Sequence, residues 1–146
     1  MILFLNCASV VEVNTKSFVQ NPKKYIDKDI ILITNIEEIQ KRPRLMIGKK
    51  VKIKGYVDYI GFRNFPYWNF ILKDKQGNLI KCYETRYRID AWIIPVMALR
   101  EAQKNKDIII VVGKLKKKDL LELDWIEYKG QKIDTDELPT SPRQFF

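Results

Sequence analysis

From Gly48 onward the chain alternates. Val51, Ile53, Gly55, Val57 and Tyr59 take every second place, with Lys52, Lys54, Tyr56 and Asp58 between them. This is the period-two pattern of a strand with one buried face, so the five odd-numbered residues are expected to point inward. Gly55 lies inside that strand, where a missing Cβ permits a bulge or a sharp coil. Trp68 to Lys73 reads as a second strand and Leu79 to Tyr83 as a third, joined by the turn residues Asp74 to Asn78. Pro95 can open a helix whose inner face carries Val96, Leu99 and Ala102, and Asn105 ends it. Ile108 to Leu115 is a continuous apolar strand, Lys116 to Asp119 a turn, and Leu120 to Tyr128 a fifth strand. The segment from Gln131 is polar, with Pro139 and Pro142, and is expected to be loosely ordered until Phe145 and Phe146.

The first third carries a weak repeat with an offset of 21 residues. Asn14, Phe18, Pro22, Ile26, Lys28 and Ile30 line up with Asn35, Ile39, Pro43, Ile47, Lys49 and Val51. Each copy follows an apolar run, Val10 to Val13 and then Ile30 to Ile33. Each then reads as an Asn N-cap, about two turns of helix and a proline that ends it. In the second copy Asn35 with Glu38 makes a capping box.

Three meandering strands, one helix and two further strands is the element order of a five-stranded OB barrel. The motifs Val51-Lys-Ile-Lys-Gly-Tyr-Val57, Trp68-Asn-Phe-Ile-Leu-Lys-Asp74-Lys-Gln-Gly77-Asn-Leu-Ile80 and Asp107-Ile-Ile-Ile-Val-Val-Gly113-Lys-Leu115 resemble the anticodon-binding-type OB domains of tRNA synthetases and related nucleic-acid-binding proteins. The resemblance covers about residues 48–128. The expected fold class is mainly β: a five-stranded OB-fold barrel, β-β-β-α-β-β, preceded by an N-terminal strand-helix extension. The expected divisions are residues 1–47 for the extension, 48–130 for the OB-fold domain and 131–146 for a polar tail.

Charge and composition narrow the function. The 146 residues include 27 Lys and Arg against 18 Asp and Glu, for a net charge of +9, and no His. Without histidine there is no Ser-His or Cys-His nucleophile pair, no His-ligated zinc and no imidazole acid or base. Cys7 and Cys82 are too far apart in sequence for a zinc motif and too few for a disulfide framework, which points to a reducing, cytoplasmic setting. Leu5-Asn-Cys7-Ala8 resembles a lipoprotein cleavage site but lacks a basic leader and an apolar stretch of signal length; a leader lost before Cys7 is the alternative. No segment has the roughly 18 apolar residues of a membrane span.

Three groups of residues carry the functional expectation. The loop Ile60 to Trp68 holds Phe62, Arg63 and Tyr67, where aromatic faces stack on unpaired bases at about 1–3 kcal/mol per base and Arg meets phosphate. Phe65 and Trp68 in the same loop can instead tuck under the barrel. The turn between the last two strands holds Lys114, Lys116, Lys117 and Lys118. In an OB barrel those two loops flank one groove, although a lysine run at a hairpin tip also serves as a solvated turn that discourages edge pairing. Outward positions of the first and third strands supply Lys52, Lys54, Tyr56, Lys81 and Tyr83, followed by Arg86 and Arg88. Basic and aromatic side chains interleaved on one sheet surface would track a single strand while stacking its bases.

Other residues read as structural. Trp92, Ile93 and Ile94 pack the entry to the helix, Trp125 continues the inward series of Leu121 and Leu123, and Cys82 joins Ile80 in the core. Glu122 and Asp124 face outward, and no carboxylates converge as a two-metal nuclease requires. The expected function is non-catalytic binding of single-stranded DNA or RNA, with no catalytic residue, cofactor or metal. A protein partner, met through the extension or the tail, is a further expectation. The rivals are an OB-fold protein-interaction or envelope-associated accessory domain and, more remotely, a metal-dependent nuclease.

Overall fold

The structure, a computed structural model, describes residues 10–61, 68–84 and 93–134. The fold is mainly β. The repeated units form as the caps dictate. Strand β1 (Val11–Asn14) runs into helix α1 (Thr15–Gln20), with the Asn14 side chain accepting the Ser17 N–H at 2.8 Å. Strand β2 (Ile30–Ile33) leads to α2 (Ile36–Lys41), where Asn35 accepts the Glu38 N–H at 2.8 Å. Each cap satisfies a donor the helix itself leaves open. The prolines end these helices as expected, and each also starts a second turn. Pro22 opens a 3₁₀ turn to Tyr25 and Pro43 opens α3 (Pro43–Met46), because a fixed φ and a missing N–H suit the first helical position.

These units attach in parallel to β3 (Lys50–Gly61), the longest strand. Val11 lies opposite Ile30 and Ile31 opposite Lys50, so both parallel pairings have the same spacing along the chain. Val13, Leu32 and Val51 are register partners, and all three are buried. The remaining strands are β4 (Asn69–Lys73), β5 (Leu79–Tyr83), β6 (Ile108–Lys117), β7 (Leu120–Tyr128) and β8 (Gln131–Asp134). β3 pairs β4, β4 pairs β5, β5 pairs β7 in parallel, β7 pairs β6, and β6 returns to β3. Five strands thus form a closed circuit of pairings.

Helices cover both ends of the circuit. Where β3 begins and β6 ends, the Gly48 N–H donates to the Leu115 carbonyl, Gln40 of α2 reaches the Leu79 carbonyl, and Ile36, Ile39 and Met46 are fully buried. At the other end lies α4 (Ile93–Asn105). Its Gln103 side chain donates to the Asp58 carbonyl, and Val96, Leu99 and Ala102 join the core as the helical spacing predicts. Residues of the extension and of the circuit belong to one hydrophobic cluster.

The strand phases depart from strict alternation in two places. In β3 the register shifts between Val57 and Tyr59, leaving Asp58 as the extra residue of a bulge. Tyr59 therefore points outward, 57% exposed, rather than inward. The bulge lies three residues beyond Gly55. Gly55 itself permits a close strand approach: a Cβ there would stand 2.8 Å from the Lys73 carbonyl oxygen and 2.7 Å from the Leu72 side chain. In β7 the partners jump from Leu123 to Trp125, so Asp124 is extra and the inward series continues through Ile126 and Tyr128. Trp125 faces outward, contrary to its expected place beside Leu121 and Leu123. Opposite that irregularity sits Gly113, where a Cβ would overlap the Glu122 carbonyl oxygen.

The polar segment expected to be loose from Gln131 opens with β8, paired to β7 from Trp125 to Tyr128. Lys129 and Gly130 both have positive φ, 51° and 76°, the two-residue turn whose twist matches an antiparallel hairpin.

Two substitutions separate a hard steric constraint from an ordinary cap. Gly113→Ala should lower the unfolding free energy by about 3 kcal/mol, the upper end of overpacking costs. Asn35→Ala should lower it by only about 1 kcal/mol. Urea denaturation followed by circular dichroism measures both, and equal losses would contradict the backbone overlap.

Candidate functional site

Outward positions of β3, β4 and β5 form one surface. After the Asp58 bulge, Tyr59 stands opposite Ile71, which stands opposite Lys81. The neighbouring row places Asn69 opposite Tyr83, and on the other side Tyr56 faces Lys73, which faces Leu79. With about 4.8 Å between strands, Tyr59 and Lys81 lie roughly 10 Å apart across the sheet. Tyr59 and Lys81 are exposed, while Tyr56 and Tyr83 are half-buried. The basic turn borders this surface. The Lys81 N–H donates to the Asp119 carbonyl at 2.9 Å, which brings the tip carrying Lys117 and Lys118 beside β5. Among the described residues, Lys81, Lys117 and Lys118 make no ion pair. Burial raises the Tyr83 hydroxyl above its usual pKa near 10, and the adjacent Glu122 carboxylate raises it further.

The remaining lysines occupy different ground. The start of β3 lies between β2 and β6, and its outward residues meet acids. Lys50 pairs with Asp124 at 2.8 Å. Lys52 donates to Glu12 at 3.0 Å and lies 3.7 Å from Glu127. Lys116 is 3.9 Å from Glu122. Trp125 lies on this side, with the Lys132 ammonium 4.0 Å and the Lys50 ammonium 5.6 Å from its ring, while its indole N–H donates to Glu127 at 3.0 Å. Val112, between Lys52 and Trp125 in register, is buried although it stands apart from the main core cluster. This surface is charge-balanced rather than uniformly basic. Lys54 is exposed and makes no ion pair among the described residues, and it borders a small recess with Tyr56, Asp74 and Lys75. Lys114 is exposed beside the start of β3, opposite Lys50.

The structure therefore brings Tyr56, Lys81, Tyr83, Lys117 and Lys118 to one surface, leaves Lys54 at its border beside Tyr56, and sets Lys52, Lys114 and Lys116 against acids, Lys52 and Lys116 in ion pairs and Lys114 opposite Glu122. Phe62, Arg63, Tyr67, Arg86 and Arg88 lie outside the described residues. Trp68 is buried and stacks on Phe70, ring centroids 6.1 Å apart, in keeping with tucking under the sheet. Cys82 is fully buried, and burial pushes its thiol pKa far up, so it offers no thiolate. Sequence reasoning missed Tyr59. A signal was present: Ile60 breaks the polar-apolar alternation directly after it, as Ile126 and Tyr128 break the phase of Leu121 and Leu123.

Among the described residues no three of Cys, Asp and Glu gather where they could hold a metal ion, and no helix is long and apolar enough to cross a membrane. No protein-family model matches the chain, and no curated protein matches it.

The Lys52 network has a pH signature. The hydrogen bond to Glu12 raises its pKa above the ordinary 10.5, burial opposes this, and the Glu127 charge adds to it. A pKa raised in the folded state gives stability that is present below the unfolded value and lost as pH rises through the folded value. Lys52→Met should cost up to about 1 kcal/mol after solvent screening. Denaturation midpoints should differ by a constant amount from pH 7 to 9 and converge above 10.5; a difference that persists there would locate the effect in packing alone.

Proposed function

We propose that the chain is an OB-fold module that binds single-stranded DNA or RNA across β4 and β5 and catalyses no reaction. The fold part rests on the circuit β3-β4-β5-β7-β6, with α4 between β5 and β6, which is the five-stranded β-β-β-α-β-β plan expected of an OB barrel. The observation that carries the functional part is the row Tyr59–Ile71–Lys81 with Tyr83 beside it, bordered by Lys117 and Lys118.

The exposed Tyr59 ring and the half-buried Tyr83 ring supply stacking area for bases of any identity, and the ammonium groups without ion pairs supply phosphate attraction that lacks sequence preference. Ile71 between them is half-buried and adds an apolar floor. Binding by these means is salt-dependent, because each phosphate neutralised on a single strand releases counterions. The charge-balanced ground around Lys52 falls outside this footprint, since Glu12 and Glu127 already neutralise that lysine.

A rival reading as a protein-interaction domain has one observation in its favour. Met97 and Ile94 of α4 are exposed next to Ile133 of β8, in a shallow apolar recess.

Fluorescence anisotropy with labelled single-stranded DNA and RNA at two salt concentrations tests the proposal. Affinity should fall with salt at a log–log slope of about −0.7 per contacted phosphate. Tyr59→Ala and Tyr83→Ala should each weaken binding by about 5- to 150-fold, the equivalent of one lost stacked base. Absence of binding to both nucleic acids at low salt, or unchanged affinity in both tyrosine variants, would overturn it. Loss of binding to a captured protein on Met97→Ser would favour the rival.

A further inference from the structure

The extension and the strand circuit meet at a junction rich in lysine. A cleft of about 340 Å³ opens there, and Lys28, Asp29, Lys49, Lys50 and Lys114 line it together with Ile26. The lysines come from three separate stretches of chain. Lys28 stands in the connection into β2, Lys49 and Lys50 at the entry to β3, and Lys114 on β6 directly opposite Lys50.

The local backbone explains the convergence. Gly48 has a φ of 87°, a conformation that glycine adopts without strain, and it turns the chain from α3 into β3. Its N–H donates to the Leu115 carbonyl, and the Leu115 N–H donates to the Lys49 carbonyl, so the turn is pinned to β6 beside Lys114. The Val11 N–H donates to the Asp29 carbonyl and holds the opposite wall, where Ile26 is exposed.

Electrostatically the arrangement is uneven. Lysines directly opposite on paired strands repel. Asp124 relieves Lys50 at 2.8 Å, but Lys28, Lys49 and Lys114 make no ion pair among the described residues. Four ammonium groups meet one lining carboxylate, Asp29, and two carboxylates of β7, Asp124 paired with Lys50 and Glu122, which stands opposite Lys114 in register and pairs with Lys116. The neighbouring lysines of β3 and β6, Lys52 and Lys116, are matched by acids. Lys28, Lys49 and Lys114 thus bring unpaired charge to one concave part of the surface, where it acts on a shared guest.

We propose that this cleft binds a phosphate group, with Lys49 and Lys114 as its principal contacts and Lys28 closing from the extension. A phosphate brings close to two negative charges and several acceptor oxygens, which matches several converging ammonium donors better than a single carboxylate does. The volume is at the lower end of that of small-molecule sites. The apolar wall at Ile26 suits the organic part of the phosphorylated molecule. The proposal stands apart from the reading of the Tyr59–Tyr83 surface, from which it shares no residue. The phosphate can belong to a small phosphorylated molecule or to the backbone of a bound strand.

Titration of the ¹⁵N-labelled full chain with inorganic pyrophosphate at low ionic strength, followed by two-dimensional NMR, tests the cleft itself. Saturable shifts should centre on the amides of Lys28, Gly48, Lys49 and Lys50. The double variant Lys49→Ser, Lys114→Ser should weaken pyrophosphate binding by at least about tenfold, while Lys49→Arg, Lys114→Arg retains it with the same dispersed spectrum. Anisotropy with an oligonucleotide identifies the source, and either result upholds the cleft. A weaker affinity and shallower salt slope in the Ser variant assign the phosphate to a strand, whereas unchanged oligonucleotide binding assigns it to a small molecule. Shifts spread evenly over all lysine-bearing surfaces, or pyrophosphate binding undiminished in the Ser variant, would overturn the proposal. Tyr59→Ala and Tyr83→Ala should leave pyrophosphate binding intact, so failure of the nucleic-acid reading is distinguishable from failure of this one.

Discussion

Strand β3 must satisfy the hydrogen-bonding groups of both its edges, and the rest of the structure is arranged around that requirement. A strand of twelve residues exposes more backbone N–H and C=O groups than a single neighbour can pair. β6 runs along one edge from Lys50 to Tyr56. The other edge is divided, with β2 on the first three residues and β4 from Tyr56 onward. The extension is therefore part of the sheet. It covers an edge segment that would otherwise be open to pairing with another chain, and its helices supply Ile36, Ile39 and Met46 to the same core that the circuit uses.

Division of that edge also explains where functional groups end up. The half of β3 that pairs with β2 has its outward lysines next to Glu12, Asp124 and Glu127, and the pairs form there. The half that pairs with β4 crosses a bulge, and the pleat changes phase. Tyr59 then belongs to the outer surface with Ile71, Lys81 and Tyr83. One strand thus contributes to two surfaces of different character, a neutralised one that packs and an aromatic, basic one that is open.

Glycine sets the tolerances of this arrangement. Gly55 and Gly113 face close neighbours on adjacent strands, and a side chain at either would push strands apart. Gly48 acts differently, by turning the chain so that Lys49 and Lys50 meet Lys114 and Lys28 across the seam between the extension and the circuit. The seam is a concave place where the extension meets the circuit, and three of its lysines, Lys28, Lys49 and Lys114, make no ion pair among the described residues.

Much of this was legible in the chain. Asn14 and Asn35 as caps, the Asp74 to Asn78 turn, the helix face of Val96, Leu99 and Ala102, and the order of strands follow from local backbone preferences and from periodicity, which act over a few residues. The outward tyrosine and the outward Trp125 were not legible by strict alternation, because a bulge costs one residue of register and is located by the partner strand. Nor could composition tell a neutralised lysine from a free one. Lys52 and Lys81 have the same chemistry and the same place in the alternation. Only pairing across strands, with Glu12 forty residues away from Lys52 and nothing acidic opposite Lys81, decided which of them keeps its charge for a partner.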